Sequence, residues 1–119
     1  MAQTAYSYKA TVTRVIDGDT VDAIVDLGFQ IVTHQRLRLA RVNTPEMTSA
    51  DPATRARAVA AKAYVEKLVA GKTVQIETEK HDSFGRYLAE VRYEAMPGVT
   101  ANLSDSLFAA GHATLYVRK

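Results

Sequence analysis

The sequence predicts a small, mainly β (α+β) protein: a barrel of strands with one long and one short helix. Apolar residues make up 47% of the 119 residues, which is enough for one core and favours a single domain over residues 1–119. Short stretches rich in Val, Thr and Ile are separated by Gly-containing turn signals, which is typical of strands. Helical spacing with a start signal occurs in only two segments.

Five strands are predicted, three before the long helix and two between the helices. Residues 1–7 are predicted to form an N-terminal tail, and residues 94–100, which include Pro97-Gly98, a loop. This order of elements fits a five-stranded barrel with helices at its edges, for which the OB fold is the best-known architecture. The predicted strands are Tyr8–Ile16, Thr20–Asp26, Gln30–Ala40, Lys72–Lys80 and Arg86–Tyr93.

The long helix has a clear start and a clear stop. Asp51 is a suitable N-cap before Pro52, and Gly71 supplies a C-terminal stop, so the helix should run to about Ala70. A second, short helix is predicted over residues 102–110. The face of the long helix that packs on the barrel should carry Ala58, Ala61, Val65 and Leu68.

Composition narrows the chemistry and the location. There are no cysteines, so any metal must be held by oxygen ligands or by the three histidines. The net charge of +2 and the pI near 9.0 allow a nucleic-acid partner that binds over a short basic site. No apolar run is long enough to span a membrane, and residues 1–9 lack an export signal. We expect a cytoplasmic protein if the chain is complete, and a secreted one if a signal was removed.

The first candidate site is the segment Ile16–Thr20. Taken alone, Asp17-Gly18 is an ordinary hairpin turn, and an aspartate such as Asp19 is common next to such a turn. The functional interpretation is that Asp19 offers a rigid carboxylate to a hard cation. Calcium and magnesium need about six or more oxygens, so further ligands would be required.

The second candidate site, from Arg38 to Glu46, ends a strand and enters a loop. It is either a basic strand edge before a proline turn, or a site in which Arg38 binds substrate. In the second case Asn43, Thr44 and Glu46 would serve a metal or a water, on a loop that Pro45 stiffens.

The third candidate site is Asp82–Arg86, which is either a turn with a solvated arginine or a second arginine for the same centre. Two guanidinium groups and a divalent cation would stabilise the negative charge that builds during phosphodiester hydrolysis. A carboxylate nearby could orient the attacking water or take its proton. The residues of the three segments can supply this minimum set.

Together these segments resemble the signature of the staphylococcal nuclease (thermonuclease) family, and the resemblance covers nearly the whole chain. It implies the five-stranded OB barrel and a metal-dependent endonuclease or phosphodiesterase that hydrolyses DNA and RNA with little sequence preference. The segments that carry the resemblance are Ile16–Val21, Arg38 with Val42–Glu46, Phe84–Ala89 and, in the short second helix, Leu107–Ala113.

The resemblance also implies a calcium site. Asp19 corresponds to a carboxylate ligand, Thr44 to a ligand through its backbone carbonyl, and Asp17 to a supporting residue behind them. Asn43 stands where the family has its second ligating carboxylate. An amide oxygen can still bind calcium, but one negative charge is lost.

By the same resemblance, Arg38 and Arg86 correspond to the phosphate-binding arginines, and Glu46 to the base or water-positioning carboxylate. A calcium-dependent nuclease acting on DNA or RNA, without a membrane and as a monomer, is therefore the leading expectation. The alternative is a catalytically weakened OB module that binds nucleic acid or protein, which Asn43 favours. Retention of Asp19, Arg38, Glu46 and Arg86 favours the enzyme.

Overall fold

The computed structural model describes residues 6–81 and 87–115. The first half of the chain forms four strands, followed by the long helix. Four further strands and a short helix follow. In chain order the elements are β1 (Tyr6–Asp17), β2 (Thr20–Asp26), β3 (Val32–Leu39), β4 (Val42–Asn43), α1 (Pro52–Val69), β5 (Thr73–His81), β6 (Tyr87–Met96), β7 (Val99–Asn102), α2 (Leu103–Ala109) and β8 (Thr114–Leu115).

A closed mixed barrel is formed by five of these strands: β1, β2, β3, β5 and β6. This confirms the expected OB-like fold with two helices. The sheet runs β3-β2-β1-β5-β6-β7, and a parallel pairing between β3 and β6 closes it. In that pairing Leu37 lies opposite Tyr87 and Arg38 opposite Leu88. The closure places the end of β3, and with it Arg38, beside the first described residues of β6.

The strand β1 shows how the sequence builds the barrel. Ala10, Val12 and Val15 are buried, so the strict alternation of a strand breaks between Val12 and Val15. An irregularity in the pairing with β2 between Val12 and Arg14 accounts for the break. The strand begins at Tyr6, so residues 6 and 7, which we assigned to the tail, pair with β5.

Helix α1 forms as the capping signal predicts. The carboxylate of Asp51 accepts hydrogen bonds from the Ala53 N–H (3.3 Å) and the Thr54 hydroxyl (2.7 Å). Three of the four expected core positions are buried, but Val69 takes the fourth place and Leu68 is only half-buried. A step of four residues after Val65 fits the 3.6-residue turn as well as a step of three, and packing decides between them.

The loop that we expected at residues 94–100 is mostly a hairpin, so that prediction was wrong. Strand β6 continues to Met96, and β7 starts at Val99, with which Met96 pairs. Pro97 and Gly98 form the two-residue turn, where Gly98 adopts a φ of 78°. The Gly98 N–H is also bound by the carboxylate of Glu94 (3.1 Å).

Two short elements fix the region after β3. Strands β4 and β8 pair so that Asn43 lies opposite Thr114 and Val42 opposite Leu115. This ribbon ties the segment after β3 to the chain that follows α2. Within the described residues, no helix has both the length and the apolar character needed to cross a membrane.

Candidate active site

The turn between β1 and β2 packs tightly against the loop that follows β4. Gly18 sits so close to this loop that an added Cβ would lie 2.8 Å from Thr44 Cγ2 and 2.9 Å from Ala61 Cβ. Only glycine fits at this position without displacing the loop or α1. The close approach brings Asp19 to the backbone of Thr44.

The Asp19 carboxylate joins three segments of the chain. Its Oδ2 accepts a hydrogen bond from the Thr44 N–H (3.1 Å) and lies 3.4 Å from Nη2 of Arg38. Its Oδ1 accepts a hydrogen bond from the Thr20 hydroxyl (3.2 Å). The side chains of Asp19 and Arg38 are only 14% and 11% exposed. The structure therefore brings together residues that are far apart in the sequence.

Arg38 is held in place by backbone carbonyls. Its Nη1 donates to the carbonyl oxygens of Leu39 (2.7 Å) and Val42 (2.8 Å). Its Nη2 donates to the side-chain oxygen of Asn43. The register of β2 and β3, in which Thr20 lies opposite Arg38, sets the guanidinium beside the Asp19 turn. The guanidinium therefore has a fixed orientation within this turn.

The pKa values of the two carboxyl groups in this turn are shifted in opposite directions. Burial raises the pKa of Asp17 to about 6, and the hydrogen bond and negative charge of Asp19 add to the rise. Burial also opposes ionisation of Asp19, but the hydrogen bond from Asp17, the charge of Arg38 and the Thr44 N–H lower its pKa. Just below pH 6 the proton therefore resides on Asp17, while Asp19, whose pKa is lowered, stays ionised.

The two other predicted catalytic residues, Glu46 and Arg86, are not part of this hydrogen-bonded cluster in the described structure. Glu46 is exposed on the loop beyond Pro45, and its carboxylate makes no hydrogen bond or ion pair to a described residue. Its backbone carbonyl accepts the Ser49 N–H (3.3 Å). Arg86, with the rest of the third candidate segment, lies outside the described residues.

The oxygen donors at this site suit a hard cation in type but are few. The Asp19 carboxylate and the Asn43 amide oxygen both contact the same nitrogen, Nη2 of Arg38, so they converge on one point of positive charge. Oxygen donors of this kind are those that calcium and magnesium prefer. Across residues 6–81 and 87–115 no cluster of three or more acidic or histidine side chains forms. The described residues therefore supply one carboxylate and one amide oxygen of the right type, and both of these oxygens contact Arg38.

A second arginine, three residues after Arg38, has a wholly different environment. Arg41 donates to both carboxylate oxygens of Glu90 (2.6 and 2.9 Å), to Asp105 (3.0 Å) and to the side chain of Asn102 (3.3 Å). Neither this network nor the carbonyls that orient Arg38 were predicted from the sequence. No pattern in the sequence relates Arg41 to carboxylates 49 and 64 residues away.

The fold and the site together define a class: a small closed β-barrel in which an arginine, an aspartate and a loop with further oxygen donors meet beside the barrel's closure. A sequence model of one family of this class, Staphylococcal nuclease homologue, matches residues 36–119. The chain belongs to this family. No curated protein matches the chain in a sequence search. The matched range does not include Asp19. The contacts of Asp19 with Arg38 and Thr44, which lie within the range, connect the β1–β2 turn to the matched region.

Proposed function

We propose that this protein is a calcium-dependent nuclease that hydrolyses phosphodiester bonds in DNA or RNA. Membership of the nuclease family supports phosphodiester chemistry in general. The observation that carries the specific proposal is the convergence of Asp19, Arg38 and Asn43, where a fixed guanidinium meets two oxygen donors. Glu46 adds an exposed carboxylate further along the loop that follows Asn43.

In this proposal each residue has a separate task. Arg38 binds the scissile phosphate, and its orientation by two carbonyls means that little reorganisation is needed when charge develops. Arg86 is proposed as the second phosphate ligand. Glu46, exposed and without a partner among the described residues, orients the attacking water or accepts its proton.

Asp19, Asn43 and the backbone carbonyl of Thr44 would hold the calcium ion, with Asp17 supporting Asp19 through their hydrogen bond. When bound, the ion supplies positive charge that stabilises the phosphoryl oxygens. Ionised Asp19 is suited to this role because its pKa is lowered despite burial. Asn43 adds a neutral oxygen, so the site depends on Asp19 for charge.

The test is digestion of plasmid DNA and of RNA with calcium, with magnesium and with excess chelator. We expect cleavage with calcium, none in chelator, and strong loss in Arg38→Ala. Arg36→Ala is the matched control, because Arg36 lies on the same strand and its guanidinium pairs with Asp22 (2.8 Å). Full activity in chelator would refute the metal-dependent mechanism.

A non-catalytic nucleic-acid-binding module is the second candidate. It is favoured by Asn43, whose amide oxygen is already bound by Arg38 and which brings no charge to a metal. This function predicts binding of single strands without cleavage under any of the three metal conditions. The same digestion experiment, followed by a binding assay on the undigested strands, decides between the two.

A further inference from the structure

A cleft adjoins the candidate site along the loop that carries Asn43 and Thr44. It has a volume of about 570 Å³ and lies between this loop, the first half of α1 and the turn after α2. Sites for small molecules typically have roughly 300–1,000 Å³. We call it the helix cleft, and the residues that matter here are Asn43, Thr44, Arg57, Ala60, Gly111 and His112.

The positive charge in the helix cleft comes from Arg57. This exposed side chain donates one hydrogen bond, from Nη2 to the Thr54 hydroxyl (3.0 Å), which is a neutral partner. Ion pairs within the described part of the chain do not include Arg57. Asp51 lies near enough to feel its charge, but its carboxylate is bound at the N-terminus of α1. The guanidinium is therefore available to an anion, and its geometry matches phosphate.

His112, which also lines the helix cleft, contributes an aromatic ring. The His112 ring packs on the Tyr64 ring with the centroids 4.7 Å apart and the planes tilted by 39°. The backbone N–H of His112 donates to the Leu107 carbonyl (2.9 Å), and the Tyr64 hydroxyl donates to the Ser106 carbonyl (3.3 Å). The hydroxyl contact fixes the Tyr64 ring, and the His112 ring packs on it, so His112 offers a positioned aromatic surface for a planar group.

Small residues also line the helix cleft. Ala60 is exposed on α1, and a Cβ built at Gly111 would meet no atom within 4 Å. A cleft of this kind, lined by a cation and an aromatic ring and adjoining the candidate site, has the chemistry to bind one nucleotide. A nucleotide would present a phosphate to Arg57 and a planar base to His112.

We propose that the helix cleft binds a nucleotide flanking the scissile phosphate, with its phosphate on Arg57 and its base against His112. The proposal rests on the proposed function, because it takes the substrate strand as the occupant. It makes α1 part of the substrate-binding surface. It also predicts that affinity depends on the length of the strand, since a single nucleotide at the candidate site would leave the helix cleft empty.

The test is fluorescence anisotropy with labelled single strands in chelator, so that binding is measured without cleavage. We compare a mononucleotide bisphosphate with a hexanucleotide for wild type, Arg57→Ala and Lys67→Ala. Lys67 is the matched control, because it is exposed on the same helix and outside the helix cleft. Arg57→Ala should weaken hexanucleotide binding by about threefold to tenfold and reduce the slope of log affinity against log salt by about 0.7. Binding of the mononucleotide should not change.

A steric variant tests the same site without changing charge. Ala60→Trp should fill the helix cleft and weaken the hexanucleotide alone, whereas Val59→Trp, on an exposed neighbouring position outside it, should not. Thermal unfolding confirms that each variant is folded. Equal hexanucleotide binding by wild type, Arg57→Ala and Ala60→Trp would overturn the inference.

The outcomes separate this inference from the proposed function. If the protein cleaves nucleic acid but Arg57→Ala and Ala60→Trp bind every length as wild type does, the inference fails and the nuclease stands. If the protein cleaves nothing but loses hexanucleotide affinity in both variants, the nuclease fails and the helix cleft stands as a nucleotide-binding site.

Discussion

Arg38 and Arg41 lie three residues apart, yet the barrel gives them opposite surroundings. The terminal nitrogens of Arg38 are bound by two carbonyls and an amide oxygen, with a single described carboxylate, Asp19, at 3.4 Å. Those of Arg41 face two carboxylates, from Glu90 and Asp105. Neutral acceptors orient a guanidinium without balancing its charge, whereas two carboxylates balance it. This difference supports the proposed phosphate-binding role of Arg38 and indicates a structural role for Arg41.

The backbone supports this division. Arg41 has a φ of 72°, in the left-handed region that non-glycine residues rarely adopt. The preceding carbonyl, of Ala40, accepts a buried hydrogen bond from the Ser104 hydroxyl (2.8 Å). The turn between β3 and β4 is thus tied to β6 and α2 through Arg41 and Ala40. That turn leads directly into Asn43 and Thr44.

The largest expected effect is that of Arg38→Ala on cleavage. Loss of a preorganised charge donor should reduce kcat/KM by roughly 100-fold or more. Arg41→Ala should change it by far less, because the charge of Arg41 is already balanced. The measurement is initial-rate kinetics on both variants with calcium. Equal losses at the two positions would remove the distinction and indicate general binding by a basic patch.

Part of this distinction could be predicted from sequence. The segments containing Asp19, Arg38 and Glu46 are recognisable as motifs, because the chemistry of phosphate and metal binding restricts the residue types. The contacts of Arg38 with the Leu39 and Val42 carbonyls could not be predicted, since any residue supplies a carbonyl. Such contacts depend on how the turn is folded.

The errors in the fold have similar causes. Strand β7 is a short segment of exposed and half-buried residues, so it has no buried face from which an alternating pattern could be recognised. Val69 replaced Leu68 in the core because both satisfy helical spacing and only the packing on the barrel chooses one. By contrast, the capping signal at Asp51 is local, and it predicted the start of α1 correctly.

The next expected effect concerns Asn43→Asp and calcium. A charged ligand at this position should tighten calcium binding by about tenfold. Arg38 contacts the same oxygen, so a carboxylate there would also hold Arg38 more firmly and oppose part of the gain. Calorimetric titration with and without a nucleotide bisphosphate measures the effect. The double variant with Arg38→Ala removes the competing contact and serves as the control. Unchanged affinity in both variants would mean that residue 43 does not face the ion.

A smaller effect is expected for Arg41→Ala on stability. The substitution removes the ion pairs of Arg41 with Glu90 and Asp105. Because the Arg41 side chain is 45% exposed, solvent screens these pairs and the loss of stability is small. We expect the free energy of unfolding in urea at pH 7 to fall by about 1 kcal/mol. Arg92→Ala is the control, since its pair with Glu77 is longer (3.5 Å) and more exposed. An equal loss in the control would show that the network around Arg41 adds nothing.

The smallest expected effect is the pH dependence of that loss. Burial alone would raise the pKa of Glu90, but the hydrogen bonds from Arg41 and Asn102 outweigh it and hold the pKa below its ordinary value of 4.5. A carboxylate whose folded pKa is lowered stabilises the protein above its unfolded pKa, and this stabilisation disappears as the pH falls through the folded value. The difference in unfolding free energy between wild type and Arg41→Ala should therefore be constant from neutral pH down to about pH 5 and shrink below it. Urea titrations at pH 7, 5 and 3.5 measure the difference, with Arg55→Ala as the control, since Arg55 is exposed and donates to the Ser49 carbonyl (2.7 Å). A difference that stays the same at the lowest pH would mean that Arg41 contributes through its packing and its backbone conformation. Arg41 would then differ from Arg38 in the packing and backbone conformation of its side chain and turn, and not in how its charge is balanced.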